Sequence, residues 1–344
     1  MSNFPLLDST IKQLCVKGKG ILAADESTAT ITKRFSALKI NSTEETRRAY
    51  RELLFTTPGL NEGIAGVILY EETLGQKSKD GTPLPEVLQK AGIVPGIKVD
   101  KGLVLLPYTQ EENTTQGLDG LAERLIEYKA KGARFTKWRA VYHISTNTPS
   151  CLAIRANAES LARYAALCQS QGLVPIVEPE VLLDGDHTIE TSAEVTEKVL
   201  RKVFSALYKN KVSLEHIILK PSMVISGKNC PIKANIEQVA TETIKILRRT
   251  VPAAVPAINF LSGGQTPQEA TAHLNTMHTL FPHLPWNLSY SYARALQDDC
   301  LKLWLGEAKN VDIAQKALYK RVKLNSLAAM GKYTTDKEKE TLVA

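Results

Sequence analysis

Lysine has the most to offer chemically in this sequence, provided that one of its amines is stripped of its proton. An amine attacks a carbonyl only when neutral, and a free lysine, with pKa near ~10.4, is almost wholly protonated at neutral pH. Burial and a neighbouring cation both favour the neutral form. Lys220 has the most apolar local sequence, with Ile217, Ile218 and Leu219 before it and Pro221 after it. Lys137 and Arg139 end the run Arg-Phe-Thr-Lys-Trp-Arg and supply positive charge from elsewhere in the chain. Lowering an amine's pKa by ~3 units takes ~4 kcal/mol of differential interaction, within reach of burial plus one cation. Lys220 is therefore the candidate nucleophile.

Carboxylates are the natural proton carriers beside it. Glu178 and Glu180 follow Val-Pro-Ile-Val and flank Pro179, so they need not face the same way: one addresses the site while the other orients a lysine. Asp25 follows Ile-Leu-Ala-Ala, and Lys98 and Asp100 lie within Gly-Ile-Lys-Val-Asp-Lys-Gly. An anion is provided for separately. Ser262, Gly263 and Gly264 follow Ile-Asn-Phe-Leu, and small residues let backbone N–H groups approach an oxyanion closely. Arg294 follows Ser-Tyr-Ser-Tyr-Ala and offers bidentate contacts to the same anion. Any one of these taken alone is a turn or a solvated loop residue. What raises them above that is where they fall.

Each ends a short β-prone run. The runs read Gly20–Ala24, Gly66–Tyr70, Ile93–Val99, Arg134–Val141, Val174–Val177, His216–Leu219, Ala254–Leu261 and Leu288–Tyr292. Several are nearly continuous in Ile, Val and Leu, as expected of parallel strands covered on both faces. Between them, Thr43–Leu54, Gly117–Lys131, Ser150–Gln171, Thr191–Asn210, Asn235–Arg249 and Thr266–Thr279 carry apolar residues at helical intervals. Strand and helix in alternation predict a single-domain α/β (β/α)₈ barrel over residues 1–344, ahead of an open doubly wound sheet. A short helix is expected over about 5–17 and a flexible tail over about 331–344. In such a barrel all the strand ends share one face, so the reactive groups converge on one mouth. The plainer alternative for some of them is a layer of paired charges that plugs a barrel end.

Composition narrows the field. The 344 residues are 43% hydrophobic and 23% charged, ordinary for a globular protein, with a net charge of +7. That excess steers anions, and equally acidic partners. No dense basic run with interleaved aromatics appears, so nucleic acid is not expected. The five cysteines are scattered without a CxxC pair, which argues against a disulfide framework or a zinc ribbon. None of the six histidines forms a metal-binding spacing, and only His187, in Asp-Gly-Asp-His near a strand end, has a setting that suggests a ligand, so no metal and no cofactor are expected. Residues 1–10 lack a signal-peptide pattern and no stretch has the apolar length to span a bilayer, which leaves the cytoplasm as the expected compartment and no membrane partner.

At these residues the sequence resembles the class I, Schiff-base fructose-bisphosphate aldolases, from Gly18 to about Tyr333. The likeness rests on long blocks: Lys17–Thr28, Gly96–Gly102, Thr114–Leu121, Val174–Glu180, Leu219–Met223 and Phe260–Gln265. It implies reversible cleavage of fructose 1,6-bisphosphate to dihydroxyacetone phosphate and glyceraldehyde 3-phosphate, in glycolysis and gluconeogenesis. It further implies that Lys220 forms the imine, Glu178 serves as general acid/base and Lys137 is a charged helper. Asp25 would handle the proton of the C4 hydroxyl, and Glu180 would support Lys220. Ser262, Gly263, Gly264, Ser291 and Arg294 match the site for the C1 phosphate, and Arg34, Ser27, Lys98 and Arg139 the surround of the C6 phosphate. The resemblance also implies a homotetramer.

Two positions depart from the family pattern. Ala293 stands where members commonly have glycine, and alanine excludes many positive-φ conformations. The chain ends Glu-Thr-Leu-Val-Ala, with Tyr333 its last tyrosine, where well-known animal members end in a tyrosine used in C3 proton exchange. The alternatives are a related Schiff-base enzyme, either an aldolase or a transaldolase-like transferase, acting on another phosphorylated ketose, or a scaffold role for the basic surface.

Overall fold

The structure is a computed structural model that describes residues 3–340. Ten strands run in chain order: β1 (Gly20–Ala24), β2 (Ile64–Leu69), β3 (Val94–Lys98), β4 (Leu103–Leu105), β5 (Asn113–Thr115), β6 (Phe135–Tyr142), β7 (Val174–Val181), β8 (Ile218–Leu219), β9 (Ala257–Phe260) and β10 (Asn287–Tyr292). Eight of them close into one parallel barrel in the order β1-β10-β9-β8-β7-β6-β3-β2. The other two, β4 and β5, form an antiparallel hairpin inserted between β3 and β6. It is braced where Thr115 donates its hydroxyl hydrogen to the Arg139 carbonyl at 2.7 Å.

Alternation along each strand divides the apolar residues into two cores, because successive side chains point to opposite faces. Outward residues such as Leu22, Ala24, Val177 and Leu219 join the layer between strands and surrounding helices. Inward residues Ile21, Ala23, Val94, Phe135, Val174, Ile176, Ile218 and Ala257 fill the lower barrel. The Phe4–Leu14 helix covers its base and adds Leu7 and Leu14 to that inner cluster. This helix is three residues shorter at its end than the 5–17 expected from sequence, because Gly18 turns the chain at φ +80° into β1. The Phe135 ring fits only because its neighbours lack side chains: a Cβ on Gly96 would lie 2.3 Å from it, and one on Gly66 3.0 Å.

Each expected helix is present, and the described residues hold six more α-helices: Thr28–Ala37, Leu84–Lys90, Arg294–Trp304 and Val311–Ala328, with the four-residue Leu60–Gly63 and Glu71–Leu74. Of the segment expected as a flexible tail, residues 331–340 are described, and Tyr333 and Glu338 tie it to the body. Tyr333 is buried and donates its hydroxyl hydrogen to Glu338 at 2.9 Å, and Glu338 pairs with the buried Arg321. Residues 341–344 of that tail lie outside the described residues. No described helix is long and apolar enough to cross a membrane.

Candidate active site

The inward register that fills the barrel floor continues upward into the reactive residues. On β7, Val174 and Ile176 face in, so the next two inward positions are Glu178 and Glu180. On β6 the series runs Phe135, Lys137, Arg139; on β8 it runs Ile218, Lys220; on β1 it runs Ile21, Ala23, Asp25; and on β3 it runs Val94, Gly96, Lys98. This corrects the reading that Glu178 and Glu180 need not face the same way. The strand does not stop at Val177 but continues through Val181, and residues two apart on a strand share a face. Both carboxylates line a cavity of about 490 Å³ at the C-terminal mouth of the barrel, together with Asp25, Lys98, Lys137, Arg139 and Lys220.

At its centre lie four ionisable side chains, each under a tenth exposed: Asp25, Lys137, Glu178 and Lys220. The Lys137 ammonium stands between two carboxylates, 3.0 Å from Asp25 Oδ2 and 3.1 Å from Glu178 Oε2. Lys220 Nζ lies 3.5 Å from the same Glu178 oxygen. The two lysines therefore differ in character. Burial pulls Lys137 down, but Asp25, Glu178 and Asp100 outweigh it and hold the amine protonated. Burial lowers Lys220 too, and there the charge of Lys137 adds to it against the pull of Glu178, so the net direction is down. Burial works against ionised Asp25, yet Lys137 and Lys220 hold its carboxyl at about 2.

The sequence assigned cationic assistance to Lys137 and Arg139 together. Arg139 is instead ion-paired with Glu180, and Lys98 with Asp100, whose second oxygen accepts from the Arg139 N–H at 3.4 Å. Arg34 does not line the cavity, although Ser27 and Thr30 at the start of the same helix do. It pairs with Glu26 and, at 3.0 Å, with Asp298, and donates to Gln297 at 3.2 Å.

The opposite end of the cavity is lined by Ser262, Gly263, Ser291, Ala293 and Arg294. Gly263 and Gly264 adopt φ +52° and +89°, so both positions favour glycine. Gly264 lies just outside the cavity, where an added Cβ would be 3.9 Å from Arg294 Nη2. The Ser291 hydroxyl is buried without a partner, and the 11-residue Arg294–Trp304 helix starts here with no side-chain cap. Uncapped first-turn N–H groups, a free hydroxyl and an exposed guanidinium make an anion site. Ala293 sits at φ −102°, outside the positive-φ region that alanine excludes, so its backbone makes no demand for glycine.

A sequence model of the class-I fructose-bisphosphate aldolase family matches residues 6–343. This chain belongs to that family. It is 57% identical over 328 residues to a "Probable fructose-bisphosphate aldolase class 1" of Xanthomonas campestris pv. campestris, covering 95% of this chain and 98% of the other. It is 57% identical over 331 residues to the fructose-bisphosphate aldolase of Dictyostelium discoideum, covering 95% and 92%. A solved fructose-bisphosphate aldolase structure from Plasmodium falciparum superposes with a TM-score of 0.95 at 52% identity, over 96% of each chain. The chain is an aldehyde-lyase, and the reaction of its family is the reversible, Schiff-base cleavage of fructose 1,6-bisphosphate.

Beyond the residues read from sequence, the aldolase cavity is also lined by Glu26, Thr30, Tyr70 and Leu103. Glu26 stands between Asp25 and Ser27, both singled out from the sequence. Its importance appears only with the tertiary partner Arg51, which is 2% exposed and whose Nη1 lies 2.9 Å from Glu26 Oε2.

Proposed function

We propose that Lys220 is the residue that forms the Schiff base, and that the four buried charges around it run the proton transfers of the reaction. The observation that carries this reading is the contrast between two lysines of one cluster, Lys137 held charged and Lys220 pushed towards neutrality. Neutral Lys220 adds to the C2 carbonyl of the open-chain ketose. A proton moves from nitrogen to the C2 oxygen to give the carbinolamine, and a second proton, delivered by the protonated form of Glu178, lets that oxygen leave as water to give the iminium. Lys137 is the charged donor beside that oxygen, and Glu178, within 3.5 Å of Lys220 Nζ, is the general acid/base. The C3–C4 bond then breaks. Its electron pair moves to the iminium nitrogen as an enamine while the C4 hydroxyl loses its proton with assistance from Asp25, releasing glyceraldehyde 3-phosphate. Protonation at C3 and hydrolysis return dihydroxyacetone phosphate and free Lys220.

The Ser262–Gly264 turn, Ser291 and Arg294 take the C1 phosphate, placing C2 over Lys220. Ser27, Lys98, Arg139 and Arg34 surround the C6 phosphate, and Glu180 supports Lys220 through its negative charge. The test is covalent. Incubation with dihydroxyacetone phosphate and borohydride is expected to leave a secondary amine on Lys220. Label on another lysine, or none together with activity lost to a chelator, overturns the assignment.

The assembly is proposed to be a homotetramer in the cytosol. The β4–β5 hairpin supports association by exposing Leu103, Val104, Leu105 and Tyr108, an apolar patch of the kind that other chains cover. Relatives from Arabidopsis thaliana named as cytosolic, 56% and 55% identical over 319 residues, support the compartment. A light-scattering mass of one chain would refute the tetramer.

A further inference from the structure

Positive charge around the cavity is committed unequally at its two ends. Arg294 has no carboxylate partner among the described residues, and the Ser291 hydroxyl beside it is unsatisfied, so one end is ready for an anion. At the other end each cation is already paired: Lys98 with Asp100, Arg139 with Glu180, Lys101 with Glu71 at 2.6 Å, and Arg34 with both Glu26 and Asp298. Arg34, Arg51, Glu26 and Asp298 form a cluster of two positive and two negative groups, and of these only Glu26, a carboxylate, lines the cavity. A phosphate approaching this end meets neutralised charge with an anion in front.

The two carboxylates on Arg34 are not held alike. Glu26 is anchored by buried Arg51 as well. Asp298 has Arg34 as its sole ion-pair partner among the described residues, and its side chain is 35% exposed. Gln297, the residue before it, is fully buried and receives Arg34 at 3.2 Å, which fixes where the guanidinium rests when Asp298 holds it. We propose that Asp298 is a specificity-determining residue: by holding Arg34 away from the cavity it limits how strongly the enzyme prefers a ketose bisphosphate over a ketose 1-phosphate. This rests on the reading that Arg34 serves the second phosphate. The C1-phosphate end is untouched by the device, so the effect belongs to the second phosphate alone.

The experiment is a comparison of KM for fructose 1,6-bisphosphate and fructose 1-phosphate in the wild type, Asp298→Asn, Arg34→Ala and the double variant. Asn keeps the size of the side chain and an acceptor for Arg34 while removing the charge. Asp298→Asn is expected to lower KM for the bisphosphate about two- to fivefold, the range that a partly exposed ion pair supports, with KM for the monophosphate unchanged. In the Arg34→Ala background the same substitution is expected to do nothing. Equal shifts for both substrates, no shift for either, or a shift that persists without Arg34 overturns the proposal. Arg34→Ala alone separates the two levels. If it abolishes bisphosphate preference while Asp298→Asn changes nothing, only the role of Asp298 falls. If it leaves the preference intact, the distal-phosphate reading of Arg34 falls and takes the proposal with it.

Discussion

In the proposed mechanism a single ammonium ion, that of Lys137, organises the chemistry at the scale of residues. It neutralises Asp25 and Glu178 and at the same time disfavours a second charge on Lys220. Lys137→Met removes the like charge and leaves the attraction of Glu178 for Lys220, so the Lys220 pKa rises. Because only the neutral amine attacks, the rising limb of the pH–rate profile moves to higher pH, and imine formation at neutral pH falls by at least about 100-fold. Borohydride trapping measured across pH reads both effects; a slower reaction with an unmoved limb would contradict this account. Asp25 carries a stability signature as well. Its folded pKa is depressed to about 2 from the model-compound 3.8, so its contribution is complete above pH 3.8 and is lost as pH falls towards 2. The shift corresponds to about 2 kcal/mol. Asp25→Asn is expected to flatten the stability–pH curve between those values, as followed by urea unfolding; an unchanged slope would remove Asp25 from the acid response.

At the scale of elements, the barrel was legible because parallel strands buried on both faces are written as unbroken apolar runs, and their ends were marked by the first charged residue. What escaped notice has physical reasons. From sequence β7 ends at Val177, because Pro179 and two glutamates read as a turn, whereas inside a barrel mouth the carboxylates are neutralised by Lys137 and Arg139, and the strand persists. The β4–β5 hairpin was missed because Leu103, Val104 and Leu105 are all exposed and give no alternation to detect. The commitment of Arg34 to Asp298 joins residues 264 positions apart, which no local pattern reveals. The Arg294–Trp304 helix shows why such links matter. Its buried Gln297 donates to the Ala23 carbonyl at 2.6 Å, fastening the helix to β1, and accepts the hydroxyl hydrogen of buried Tyr50 at 3.0 Å. Gln297→Leu strands that hydroxyl without a partner and is expected to cost about 1–3 kcal/mol in chemical denaturation. A neutral result would mean that Tyr50 finds another acceptor.

For the molecule as a whole, 43 Lys and Arg stand against 36 Asp and Glu, and the substrate is doubly phosphorylated. A net positive protein gathers such an anion over distances set by the Debye length, which shrinks from ~30 Å at 0.01 M salt to ~8 Å at 0.15 M. Across that range kcat/KM for fructose 1,6-bisphosphate is expected to fall, and to fall more steeply than for fructose 1-phosphate. Parallel declines would assign the effect to the C1-phosphate end alone.

The plug of Phe135, Leu7 and Leu14 beneath the barrel has a consequence for traffic. With the floor sealed, everything that Lys220 meets arrives and departs through one doorway. The ketose fragment stays tethered to the chain while the aldehyde is free, so the aldehyde is the first to go. The water that finally releases the tethered half comes in by the path the aldehyde has vacated.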